Sequence, residues 1–325
     1  MRQGSRGLAA LVAAAAVLLA ACGSGGEQAP ATPDAAPATR TVTHALGSTE
    51  VPVAPERVVS ASVTMTGPLL GLDVPVVGTA TTRPGGVADE HGFFLQWAPV
   101  AVERGVVALG GPQPPIEAIA AERPDVIVGS AVGLDAVAEE AYARLSQIAP
   151  TVVLDHSSSS WQELARELGA ALGHEEQAAA AEEEFAERAS QLQLDTDHGA
   201  VALTVTSDHL NVFTAESAQG KLLESLGLRL AVPEAAGGGG AGGGDRKDVV
   251  SLAHENAGRL GDSSLYIVNA EEEDLAAYRE AHPVLGALPA FAEDRVHALG
   301  PESFRLDRFS AMSVLDRLGD GGASG

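Results

Sequence analysis

The chain has 325 residues, with 20 lysines and arginines against 44 acids, a formal net charge of −24 and a single cysteine. So acidic a surface disfavours nucleic acid and anionic lipid as partners, and one cysteine excludes an internal disulfide. The length suits one large domain or two lobes of ordinary size.

Arg2 and Arg6 precede an apolar run from Leu8 to Ala21 that is too short and too alanine-rich to cross a membrane, so residues 1–21 read as a secretory signal peptide. Its ending, Leu19-Ala-Ala-Cys22, resembles the lipobox of bacterial lipoproteins, which implies that Cys22 becomes the lipid-modified first residue of the mature chain. The alternative is an ordinary signal peptide with a stray cysteine. Residues 22–40 are rich in Ala, Pro, Gly and Thr without apolar periodicity and read as a flexible, lipidated tether. Cleavage removes two cations and no acid, so the mature chain is more acidic still.

Beyond the tether, short β-branched runs alternate with helical stretches, the pattern of α/β layers with mostly parallel sheets. Strands are expected at Arg57–Ala61, Val74–Gly78, Asp125–Gly129 and Thr151–Leu154, with a helix from Leu134 to Gln147. Ser160-Trp-Gln-Glu163 is a capping box that starts a helix to about Leu172, and a longer one runs from Glu175 to about Leu192. A second series follows, with strands at Ala200–Thr206, Leu210–Phe213, Ser264–Val268 and Arg295–Leu299. The resulting fold class is α/β with two Rossmann-like lobes: 41–173, a connecting helix at 174–197, and 198–325. Glu117 and Glu255 each open a short helix before a strand, one in each half, a weak internal correspondence. Acid in a first helical turn is by itself ordinary dipole complementarity.

Chemistry-bearing motifs are few. GxSxG, P-loop and HExxH patterns are absent, and the nine histidines are scattered singly without metal-ligand spacing. Gly237–Gly244 formally satisfies GxGxxG, but it is low-complexity, opens no helix and reads as a loop of the second half. Cations and aromatics after strands are more telling. Arg83 follows a strand of the first half and Phe213 ends one of the second, where α/β sheets place ligands.

Near the C-terminus, Glu302-Ser-Phe-Arg-Leu-Asp-Arg-Phe-Ser310 sets two arginines between two phenylalanines, just before a helix whose Met312, Leu315 and Leu318 share a face. Asp307 or Ser310 is available as its N-cap. The plain reading is a solvated salt-bridge cluster. The sharper one is an anion clamp, because cations at a helix N-terminus are disfavoured unless an anion is held there too. A cleft lined by Arg83, Phe213, Arg305 and Arg308 suits a planar, aromatic, anionic ligand.

Pro55-Glu-Arg-Val-Val-Ser60, Ile116–Val128, Leu222-Leu-Glu-Ser-Leu-Gly-Leu228, Val87–Phe93, Ser160-Trp161, Thr214–Gly220 and Phe304–Leu318 together resemble the ABC-transporter substrate-binding proteins that carry iron-siderophores and cobalamin. The resemblance spans about residues 41–319 and is strongest to members taking enterobactin-like ferric catecholates. It implies a monomer with two α/β lobes on a helical backbone, modest lobe closure and no enzymatic activity. No cofactor is implied, because the ferric siderophore is the ligand and itself holds the iron. The implied roles are anion contact for Arg305, ring stacking for Phe213, and docking of Glu117 and Glu255 onto a permease dimer served by its ATPase. The lipid anchor implies a place outside the cytoplasm on the cell membrane. The chain departs from the pattern in three places: Phe213 stands where a tryptophan is usual, the loop arginine usually falls at the position of Gly86 rather than Arg83, and Arg308 replaces a tyrosine-like residue. Haem, cobalamin and hydroxamate siderophores remain as alternative cargoes, and a secreted metal-dependent hydrolase as an alternative class.

Overall fold

The computed structural model describes residues 38–234 and 247–321. The signal peptide, Cys22, most of the tether and the glycine-rich loop at 237–244 lie outside the described residues. The first strand already starts at Thr39, before the expected boundary at residue 41. β1 (Thr39–His44) pairs antiparallel with β2 (Gly47–Pro52), Arg40 opposite Val51. Arg40 is tied down by donating to the carbonyls of Ala170 (2.6 Å) and Val53 (3.2 Å) and pairing with Glu175 (2.9 Å).

The first lobe then runs β3 (Val58–Ser60), α1 (Val63–Gly71), β4 (Val76–Thr79), α2 (Ala98–Glu103), β5 (Val107–Ala108), α3 (Ile116–Ala121), β6 (Val126–Ser130), α4 (Glu139–Leu145), β7 (Thr151–Leu154) and α5 (Trp161–Leu172). Its sheet is parallel throughout, in the order β5-β4-β3-β6-β7. β3, β6 and β7 are buried at every residue, as strands covered on both faces must be. The chain builds outward from β3 through β4 to β5, then returns to lay β6 on the other side. That reversal is a topological switch point, and it opens a crevice beyond the carboxyl ends of β3 and β6. The helix expected from Leu134 starts only at Glu139, because residues 131–138 form a wall of this crevice. There Asp135 is buried and accepts from the Thr64 backbone (2.9 Å) and hydroxyl (2.7 Å).

The capping box at Ser160 forms in both directions, Glu163 N donating to Ser160 Oγ (3.1 Å) and Ser160 N to Glu163 Oε2 (2.7 Å). α6 (Glu175–Ala189) follows, 15 residues or about 22 Å long, and leads into the second lobe. That lobe contains β8 (Gly199–Val205), β9 (His209–Phe213), α7 (Ala218–Ser225), β10 (Val249–Ala253), β11 (Ser263–Ile267), α8 (Glu272–Ala281), α9 (Pro283–Gly286), α10 (Pro289–Ala292) and β12 (Val296–Ala298). Its sheet is mixed, in the order β10-β9-β8-β11-β12, with β9 antiparallel to both neighbours.

The last helix, α11 (Arg308–Gly321), packs against α1 and α6 as well as against β12 of its own lobe. One apolar cluster therefore runs from Leu69 and Trp97 of the first lobe through Phe185 of α6 to Val314 and Leu315 of α11, and on to Phe213 and Tyr266 of the second lobe.

Candidate functional site

The crevice at the switch point continues between the lobes as a cleft of about 440 Å³, within the usual range for small-molecule sites. The first lobe lines it with residues that follow its strands: Val63 and Thr64 after β3, Thr82, Phe94 and Gln96 after β4, Val132–Asp135 after β6, and His156, Ser157 and Ser159–Trp161 after β7. The second lobe contributes Ser217–Gln219 at the start of α7, and Phe304–Asp307 just ahead of α11. The N-termini of α1, α5, α7 and α11 thus all reach the cleft, and none of α1, α7 and α11 has an acid in its first turn. Carboxylates already sit at two of these starts, Asp135 accepting from Thr64 N of α1 and Asp307 from Ser310 N of α11, and Glu163 lies in the first turn of α5, so α7 is the one whose dipole faces the cleft without an acid on it.

Arg305 is the only cation among the lining residues. Its guanidinium carbon lies 4.8 Å from the Phe94 ring centroid and 5.5 Å from that of Phe304, so one aromatic face comes from each lobe. The backbone that carries it is held from both sides. Gln219 Nε2 donates to the carbonyls of Phe304 (2.7 Å) and Ser303 (3.3 Å), and Gln96 Nε2 to that of Arg305 (3.4 Å). Ser310 Oγ also donates to the Arg305 carbonyl (3.1 Å). The side chain itself has no ion pair or hydrogen bond among the described residues. Burial lowers its pKa, opposed by the Asp135 charge. It remains a cation with its donors uncommitted.

Asp307 caps α11 reciprocally with Ser310: Ser310 N donates to Asp307 Oδ1, and Asp307 N to Ser310 Oγ, both at 2.9 Å. Burial pushes the Asp307 carboxyl up to about 6, against the hydrogen bonds from Ser310 and Gln96 that favour its anion. His156, hydrogen-bonded to Ser130 Oγ at 3.1 Å, is held below its usual range by burial, with the Asp135 and Asp155 charges opposing, so it adds no positive charge at neutral pH.

The other expected site residues fall elsewhere. Phe213 is only 5% exposed and sits edge-on to Phe304 (6.3 Å), so Phe304, 45% exposed, is the ring that faces the cleft. Arg308 is a correction: from the first residue of α11 it donates to the Gly71 carbonyl (3.1 Å) and pairs with Glu184, bracing α1 and α6 and leaving the cleft lining. Arg83 is exposed and has no partner among the described residues, one position from the lining residue Thr82. Glu117, 83% exposed and 3.9 Å from Arg144, and exposed Glu255 stand at the starts of α3 and of a 3-10 turn at His254–Leu260. Phe94, Gln96 and Gln219 were not singled out by sequence reasoning. Phe94 and Gln219 adjoin or lie inside the motifs quoted above, but nothing local marks a glutamine as a clamp for backbone 84 residues away.

Among the described residues, potential metal ligands converge at His198, Asp262 and Glu293, whose ligand atoms lie within 4.8 Å of one another. Arg295 already pairs with both carboxylates, and none of the three lines the cleft.

Two α/β lobes facing a cleft of ligand size, with one arginine as the cation of its lining, make a solute-binding architecture. Residues 58–253 match the periplasmic binding protein family, and the chain belongs to that family. It is 41% identical over 286 residues, 86% of its own length and 89% of the relative's, to the ferric enterobactin-binding periplasmic protein FepB of Escherichia coli. It is 27% identical over 197 residues, 59% of the chain and 57% of the relative, to the probable siderophore-binding lipoprotein YfiY of Bacillus subtilis. Among solved structures it resembles holo-ViuP with a TM-score of 0.75 and 32% identity, over 86% of this chain and 93% of that one.

Proposed function

We propose that the chain is the extracytoplasmic substrate-binding component of an ABC importer, taking an enterobactin-like ferric catecholate into the interlobe cleft and delivering it to a permease dimer. The observation that carries this reading is Arg305, a guanidinium without ion pair or hydrogen bond among the described residues, set between the Phe94 and Phe304 rings with its backbone clamped by Gln96 and Gln219. Six phenolate oxygens more than neutralise Fe(III), so the chelate is an anion with aromatic faces, matching a cation framed by rings in a cleft that the α7 N-terminus reaches. Iron is cargo here. Its hard oxygen ligands come from the siderophore, and the protein reads charge and shape. Arg83 supplies a second cation at the rim, and Phe213 acts by backing the Phe304 ring. The match to a ferric enterobactin-binding relative supports the same cargo.

Trp161 lines the cleft while Trp97 is buried against Phe93 and Phe94, so tryptophan fluorescence reports occupancy. Parallel titrations with a ferric catecholate, a ferric hydroxamate, haem and cobalamin are expected to give the strongest quenching at the lowest concentration for the catecholate. Tighter binding of the hydroxamate would sink this choice of cargo.

Lipidation at Cys22 anchors the chain, a reading supported by the lipobox-like ending and by a matched relative that is a lipoprotein. Exposed Glu117 and Glu255, one on each lobe, dock the permease. Reversing either charge is expected to impair uptake in cells while leaving ligand affinity intact, and loss of ligand affinity would count against the docking role.

A further inference from the structure

Leu134 is the most exposed large apolar side chain among the described residues, 91% accessible, and it lines the cleft. Isolated exposed leucines are ordinary when they ride on mobile loops, but this one is fixed on both sides. Ahead of it, Ser130 Oγ donates to the Val132 carbonyl (2.8 Å), accepts from Val132 N (3.0 Å) and contacts His156 Nε2. Behind it, the Asp135 carboxylate accepts from Thr64 twice, its carbonyl accepts from Ser62 Oγ (2.6 Å), and Val137 N donates to the Ser130 carbonyl (2.8 Å). Gly133, at φ +88°, makes the turn between these anchors. With the backbone anchored on both sides, the leucine stands out from its own lobe with its apolar surface uncovered and facing the cleft.

The cleft's other features say what enters. Arg305 calls for an anion, and the Phe94 and Phe304 rings beside it call for flat aromatic faces. We propose that Leu134 is a specificity-determining contact, its isobutyl group covering one catecholate ring from the first-lobe wall while Arg305 takes the charge from the second-lobe side. This rests on the proposed function and deepens it by assigning the apolar half of recognition. A hydroxamate or other aliphatic chelate presents no ring to this position and gains less from it.

The test uses iron(III) tris(2,3-dihydroxybenzoate) as the probe and tryptophan quenching as the readout. Leu134→Ala is expected to raise Kd about tenfold or more, with the thermal midpoint of the ligand-free protein unchanged, since the side chain packs against so little. Leu134→Phe is expected to hold or improve affinity. Because Cys22 is the only cysteine, the Cys22→Ser, Leu134→Cys chain carries one thiol, and saturating chelate is expected to slow its alkylation at least tenfold. Wild-type affinity in Leu134→Ala, or an alkylation rate indifferent to chelate, overturns the assignment and leaves the proposed function standing. Failure of the unaltered chain to bind the probe takes both down.

Discussion

Arg305→Glu is expected to weaken binding of a ferric catecholate by at least a hundredfold while leaving the thermal midpoint within a degree or two of wild type. A charge-assisted hydrogen bond contributes about 1.5–3 kcal/mol, and reversal replaces it with repulsion. No other lining residue is a cation, and Asp135, Asp248 and Asp307 already line the same cleft. A total loss near 3 kcal/mol corresponds to about two decades in Kd. Stability is spared because the guanidinium has no hydrogen bond or ion pair to lose among the described residues, only its ring contacts. Arg305→Lys keeps the charge but not the planar fork, so an intermediate loss of about tenfold is expected. Fluorescence titration of the three proteins decides the matter; a glutamate variant binding within threefold of wild type would remove Arg305 from the site.

Gly67→Ala is expected to destabilise the protein by about 1–3 kcal/mol, although alanine is the better helix former by about 1 kcal/mol. Gly67 lies inside α1, facing the residue that caps α11. An added Cβ would fall 2.1 Å from Asp307 Oδ2 and 2.7 Å from Trp97 Cδ1. Neither neighbour is a free end. Asp307 caps α11 and is 4% exposed, and Trp97 is 1% exposed in a cluster with Phe93 and Phe94. Relief requires α11 to shift, which carries the Arg305 segment with it, so ligand affinity should fall together with stability. Each kcal/mol lowers the midpoint of a chain this size by about 2–4 °C. Thermal unfolding with and without ligand measures both effects, and an unchanged midpoint would mean that α1 and α11 are not tightly apposed.

The parts of the fold readable from the sequence are those whose signals are local. Thr151–Leu154 is a strand at the expected residues, because four β-branched or apolar residues buried on both faces leave a continuous hydrophobic run. The Ser160 capping box is likewise local, its two hydrogen bonds spanning three residues. The β1–β2 hairpin was not foreseen, since its strands are mostly polar and half exposed and take their position from Arg40 reaching α5 and α6. β5 has two exposed residues, and β10 is defined by pairing with β9 about 40 positions earlier. Neither leaves much of a period to read.

The candidate site divides in the same way. By itself the sequence established an acidic α/β chain with two strand–helix series, a long helix between them, and an arginine–aromatic motif before the last helix. It could not say which arginine faces the ligand. Arg305 and Arg308 are three residues apart in similar company, and their fates are decided by partners far along the chain. The backbone of Arg305 is gripped by Gln96, 209 positions away, while the guanidinium of Arg308 is held by Gly71, 237 positions away, and by Glu184. Likewise Phe213 ends its strand as expected, but Phe304 packs over it and becomes the exposed ring. Helix starts, strands and caps follow from contacts within a few residues, so the sequence determines them. The direction of a side chain at a lobe interface is set by which distant surface packs against it, and only the tertiary structure decides that.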